Sequence, residues 1–129
     1  MRLFAIVLTL SSILVGCSSK SDEERQLELL AANRAGVLSA ELPLEYGPLS
    51  ILRANAKGST IEIMMVYNDD ARGAKPTNQV IQASVASYCG NPDVLRNLDM
   101  GLTYRIKMRN TRGQLMVDQF INKATCSDK

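Results

Sequence analysis

Between Gly101 and Asn110 two kinds of side chain alternate without a break: Leu102, Tyr104, Ile106 and Met108 against Thr103, Arg105, Lys107 and Arg109. A period of two sends one set to each side of an extended chain, so the run predicts a strand with one buried and one wetted face. Asn110-Thr111-Arg112-Gly113 supplies turn residues, and QLMVDQFIN returns as the partner strand. Pairing Arg109 with Gln114 sets Arg105 opposite Asp118 and Ile106 opposite Val117, where charge and burial agree. A sheet that is apolar on one side needs a cover, and the rest of the chain must provide it.

Helical patterns supply that cover. From Glu23 to about Ala40, behind an acidic opening, Leu27, Leu30, Ala31, Ala35 and Leu38 recur at helical spacing until Pro43 ends the run. Pro76 opens a second helix that shows Val80, Ile81, Ser84, Val85 and Tyr88 on one side and stops at Cys89-Gly90. Asn91 can cap a third, with Pro92 at its first position and Val94, Leu95 and Leu98 behind it. Asn68 to Lys75 reads as an exposed loop.

Between the first two helices, after a turn at Tyr46-Gly47-Pro48, LSILRANA and STIEIMMVY predict a hairpin turning near Lys57-Gly58 with Arg53 opposite Glu62. Its apolar residues divide over two faces, Leu49, Ile51, Met64 and Val66 on one and Leu52, Ile61 and Ile63 on the other. Either helices sandwich it, or an uncovered part forms a groove suited to a partner helix or strand. On the groove reading Leu49, Ile51, Met64 and Val66, with a neighbouring helix, are the candidate partner-binding residues. The expected fold is a small single α+β domain, an antiparallel sheet of two hairpins in the order α-ββ-αα-ββ packed with helices. With no Trp and few aromatics, its core must be Leu, Ile, Val, Met and Ala.

The chain opens differently. Arg2 is followed by LFAIVLTLSSILVG with no further charge until Lys20, too short and Ser-broken for a spanning helix of about 20 apolar residues. A positive start, an apolar middle and small residues at the end predict a secretory signal peptide over residues 1–16. Leu14-Val15-Gly16-Cys17 resembles the bacterial lipobox, which implies that Cys17 becomes the first residue of the mature chain, diacylated on sulfur and acylated on its new amino group. Acyl chains contribute about 0.8 kcal/mol per buried methylene, so such an anchor is durable. Ser18, rather than Asp, after the cysteine is similar to enterobacterial signals that sort lipoproteins to the outer membrane. Residues 17–22 then form the lipidated cysteine and tether, and 23–129 the domain.

Setting Cys17 aside leaves Cys89 and Cys126 as an even pair in an oxidising compartment, where a disulfide closing about 36 intervening residues is permitted. A metal site is the other reading, poor in ligands because the chain has no histidine. Past the leader, which holds only Arg2, 14 Lys+Arg face 13 Asp+Glu, no electrostatic footprint for nucleic acid. Catalysis is equally unsupported: there is no histidine base, no glycine-rich phosphate loop, and Asp69-Asp70 sits in a polar loop. An enzyme is not expected, nor any cofactor beyond the lipid on Cys17. The basic row Arg105, Lys107, Arg109 and Arg112 reads first as the solvated side of its strand, with contact to acidic protein or lipid headgroups as the functional alternative.

Taken together, the lipobox leader, the first helix, "LPLEYGPLSILRANAKGSTIEIMMVY" and "SYCGNPDVLRNLDMGLTYRIKMRNTRGQLMVDQFINKATC" resemble the beta class of type II secretion pilotins, over nearly the whole chain. Its most specific parts are Cys89 followed by Pro92 and Val94, the Gly101-x-x-Tyr104-x-Ile106 strand, the Thr111-Arg112-Gly113 turn and Thr125-Cys126. The resemblance implies a Cys89–Cys126 disulfide and an outer-membrane lipoprotein on the periplasmic face. It implies that the chain binds the secretin subunit, is handled by lipoprotein transport, and directs secretin to its place of assembly. The contrasting expectation is an envelope lipoprotein with a structural or inhibitory binding role and no secretin partner.

Overall fold

A computed structural model describes residues 21–127. Its elements in chain order are α1 (Asp22–Ser39), β1 (Leu44–Tyr46), β2 (Leu49–Lys57), β3 (Thr60–Tyr67), α2 (Thr77–Cys89), α3 (Pro92–Asp99), β4 (Thr103–Arg109), β5 (Leu115–Ile121) and α4 (Lys123–Ser127). Cys17 and Ser18, on which the anchor and sorting expectations fall, lie outside the described residues.

Helix α1 starts where its chemistry allows. The Ser21 hydroxyl accepts from the Glu24 amide at 3.2 Å, and Asp22, Glu23 and Glu24 place negative charge at the positive end of the helix dipole. Asp22, expected in the tether, is its first residue. Ala31 and Ala35 are buried, and their small size brings the helix close to β2, where the Ser39 hydroxyl donates to the Ala54 carbonyl at 2.7 Å. Asn91 caps α3 by accepting from the Asp93 and Val94 amides. Val94 and Leu98 of that helix are buried, whereas the expected Leu95 turns toward solvent.

The five strands form one sheet in the order β1-β2-β3-β4-β5. Two expectations are corrected here. The sheet is mixed, because β3 pairs with β4 in parallel, and the two hairpins are joined edge to edge rather than forming an antiparallel whole. A parallel pair needs a crossover long enough to return the chain to the same end, and α2 with α3 provides it. Short β1, paired to β2 through Leu44↔Ile51 and Tyr46↔Leu49, and helix α4 are additions to the expected order.

Both hairpin registers differ from expectation by two residues over most of their length, from Arg53 to Lys57 in the first and from Tyr104 to Met108 in the second. Lys57 pairs with Thr60, so Arg53 faces Met64 rather than Glu62. In the second hairpin Lys107 faces Asp118, Arg105 faces Phe120 and Ile106 faces Gln119. Two features share that shift: a turn one residue wider, which pairs Arg109 with Leu115, and an extra residue, Met116, between the partners of Arg109 and Met108. Buried Asn110 holds the wider turn: its Oδ1 accepts from the Arg112 and Gln114 amides, each at 3.0 Å, and its Nδ2 donates to Gln114 Oε1. A two-residue slip preserves which face each side chain takes, so the expected inward residues Leu102, Tyr104, Ile106 and Met108 are all buried. Arg105 still reaches Asp118 diagonally, with Nε and Nη2 donating to the two carboxylate oxygens at 2.7 and 2.6 Å. That paired guanidinium holds the Asp118 carboxyl below its ordinary range.

Helices α1, α2 and α3 cover one face of the sheet, against a core that includes Ile61, Ile63, Met65, Ile106, Met108 and Ile121. Tyr104 joins them to the sheet: its hydroxyl accepts from buried Asn97 of α3 at 2.8 Å, and its ring lies 5.5 Å from that of Tyr88 on α2. The Cys89 sulfur is bonded to that of Cys126, tying the end of α2 to α4.

Candidate functional site

The residues of the first hairpin decide where the site lies. Their expected faces rest on a regular ladder, and the ladder is not regular: the register shifts between Ile51 and Arg53, so Leu52 bulges. A bulged residue inverts the facing of everything beyond it relative to the partner strand. Leu49 and Ile51 therefore face inward beside Tyr67 and Met65, while Met64 and Val66 turn to the opposite side of the sheet. The expectation that Leu49, Ile51, Met64 and Val66 share one face is thus corrected, and the apolar surplus on two faces dissolves: Ile61 and Ile63 belong with Leu49 and Ile51.

On the inward side α1 covers the Ala54 end of β2, and α2 stands over the other half of the sheet, leaving an open groove of about 820 Å³. Leu49, Ile51, Met65 and Tyr67 line it from the sheet; Val80, Ala83, Ser84, Ser87 and Tyr88 line it from α2. Of the four candidate residues Leu49 and Ile51 line this groove, the helix beside them is α2, and Met65 and Tyr67 were missed because the sequence does not locate the bulge. Tyr46 of β1 stands at the groove, largely exposed.

Fixed hydrogen bonds shape this groove. Tyr67, itself buried, donates from its hydroxyl to the Lys75 carbonyl at 2.6 Å and so pins the approach to α2. Burial, with the neighbouring phenols of Tyr104 and Tyr46, pushes the Tyr88 hydroxyl up to about 12, so it stays neutral over the physiological range. Burial likewise raises Tyr104, against the opposing hydrogen bond from Asn97. Among the groove's lining residues only Lys75 carries a charge. The surface is apolar at its base, hydroxyl-bearing along the helix and almost uncharged, which suits an apolar or amphipathic polypeptide segment far better than an ionic ligand.

No cluster of three or more His, Cys, Asp or Glu side chains that could hold a metal occurs among the described residues. No described helix is long and apolar enough to cross a membrane.

Comparison with known proteins gives one consistent answer. Residues 23–126 match the family described as type II secretion system (T2SS) pilotin, S protein. The solved type II secretion system pilotin AspS of Vibrio cholerae is 65% identical and superposes with a TM-score of 0.75, over 81% of this chain and 95% of that one. EpsS, the pilotin of the Vibrio vulnificus type 2 secretion system, is 55% identical with a TM-score of 0.78, over 83% and 97% of the two chains. Pilotin AspS 2 of Escherichia coli O78:H11 is 25% identical across 96% of this chain and 89% of its own length. By the match over residues 23–126 and the fold it shares with these pilotins, the chain belongs to the type II secretion system pilotin family.

Proposed function

We propose that this protein is an outer-membrane lipoprotein that binds the secretin subunit in the groove between α2 and the sheet and directs it to the outer membrane for assembly. The observation that carries the reading is the nearly uncharged groove of about 820 Å³, built on a pilotin domain and lined by Leu49, Ile51 and Met65 opposite Val80. Lipid on Cys17, at the end of Leu14-Val15-Gly16, supplies the address, and Ser18 directs it outward. The device needs no catalysis. Because cargo and acyl chains are held by one polypeptide, transport of the lipid becomes transport of whatever the groove retains.

Titration of the domain with a carboxy-terminal secretin peptide tests this. Ala83 is an exposed wall residue, so Ala83→Arg places bulk and charge in the groove without entering the core. It should weaken binding at least about tenfold, about 1.4 kcal/mol. Val66→Asp, on the opposite face, should leave affinity unchanged. The reverse pattern would move the site to the outer face of the sheet. In cells, Cys17→Ser should leave secretin away from the outer membrane; correctly placed secretin in that variant would refute the pilot role.

A further inference from the structure

The face of the sheet opposite the helices carries a distinct chemistry. Reading across β2 to β5, one row is Arg53, Met64, Lys107 and Asp118; the next is Ser50, Val66, Arg109 and Leu115. A third is Asn55, Glu62, Arg105 and Phe120, with Lys57 beyond. Glu62 is nearly buried among cations, its Oε1 3.4 Å from Lys107 Nζ and its Oε2 3.4 Å from Lys57 Nζ. Arg105 is committed to Asp118 and lies over the Phe120 ring, 4.7 Å from its centroid. Arg53 and Arg109 differ: Arg53 donates to the Met64 sulfur and Arg109 to the Gly113 carbonyl, and neither has a carboxylate partner among the described ion pairs. Two guanidiniums without a counter-charge thus flank the apolar pair Met64 and Val66, and the five cations of these strands outnumber Glu62 and Asp118 and, on β1 beside Ser50, Glu45.

We infer that this outer face rests on the anionic phosphate headgroups of the membrane that holds the anchor, so that the groove on the other side of the sheet points away from the bilayer toward cargo. The inference rests on lipidation at Cys17. Four residue steps separate Cys17 from the Ser21 cap of α1, a reach of at most ~14 Å, so some surface of the domain must meet the headgroups. Helix α1 begins at the β2–β3 turn end of the sheet, where a Cβ on Gly58 would lie 3.9 Å from Glu28 and one on Gly101 would lie 3.3 Å from Leu27. From there the tether is long enough to pass the thickness of one layer, ~10 Å, to the outer face. The α1 side carries Asp22, Glu23, Glu24 and Glu28 against Arg25 and Arg34, a net negative charge that anionic lipid repels. The outer face offers paired and unpaired cations with Met64, Val66 and exposed Phe120 between them, a mixture suited to the headgroup boundary.

Orientation can be read apart from natural lipidation. With Cys89 and Cys126 joined, Cys17 is the remaining cysteine of the sequence and, in protein made without lipidation, the one to couple; the core lies within residues 21–127. Residues 17–129 are coupled through Cys17 to a maleimide lipid in nanodiscs of two parts phosphatidylcholine to one part phosphatidylglycerol, with a trace of gadolinium-chelating lipid. The Met64 and Val66 methyl signals should broaden more than those of Val80 and Ala83 on the groove wall. Pure phosphatidylcholine should reduce the difference, as should high salt. Arg53→Gln/Lys107→Gln/Arg109→Gln should abolish it, at about fivefold in orientation per charge. Arg53→Lys/Arg109→Lys should retain it, with Met65 and Met108 methyl shifts reporting an intact core in each variant. Stronger broadening on the groove wall, or a preference that survives the triple change, would overturn the inference. So would finding that the triple change leaves lipid orientation alone but weakens binding of polyglutamate, which would assign the face to an acidic protein. Mass spectrometry of the cell-derived chain tests the anchor separately.

Discussion

Removing the Cys89–Cys126 disulfide should damage the groove before it damages the sheet. The bond closes a 37-residue separation, for which chain entropy alone gives ~4 kcal/mol at 25 °C, a large share of the roughly 5–15 kcal/mol by which such domains are stable. The loss is not spread evenly. Helix α2 has no fully buried residue, and besides the disulfide it is held by half-buried Val80, Ile81 and Val85, by the Tyr88–Tyr104 ring contact and by the Tyr67 hydrogen bond ahead of it. Strands β3 and β4, by contrast, bury Ile61, Ile63, Met65, Ile106 and Met108. In Cys89→Ser/Cys126→Ser, urea unfolding should show a loss of about 4 kcal/mol. Amide exchange in α2 should then occur through local opening well below the free energy needed to expose β3 and β4. On the proposed function, secretin-peptide affinity should fall with it, since α2 is one wall of the groove. A loss under ~1 kcal/mol would refute the loop-closure magnitude. Equal protection of α2 and the central strands in the variant would show that apolar packing alone seats the helix.

Two further outcomes test other parts of the account. Tyr88 is raised in the fold from 10.0 to about 12, so the stability it confers is complete below pH 10 and is lost as pH rises through 12; Tyr88→Phe should flatten the alkaline limb of the unfolding midpoint by up to ~3 kcal/mol. Asn110→Ala removes the acceptor for two turn amides and should cost about 2 kcal/mol in denaturant unfolding, while an unchanged midpoint would show that the five-residue turn holds its own register.

Strand β4 shows how far local pattern reaches. Its alternation alone determined a strand, its inward residues and its basic outer row, and the structure keeps all three even though the Asn110 turn and the extra residue Met116 together moved the pairing by two residues. The same holds for α1, whose buried Ala31 and Ala35 stand where helical spacing put them, and for the Asn91 cap of α3. The leader and the lipobox at Cys17 rest on the sequence alone, because a processing signal is read along the chain and needs no partner in space, and they lie outside the described residues. Tertiary structure decided the rest. Whether β3 meets β4 in parallel depends on where the α2–α3 crossover delivers the chain, and the bulge at Leu52 exists only in the pairing of β2 with β3. That one extra residue moved Met64 and Val66 away from Leu49 and Ile51. It left one face of the sheet for the groove and the other for charge, a division that no period within a single strand encodes, because it depends on two strands being counted against each other.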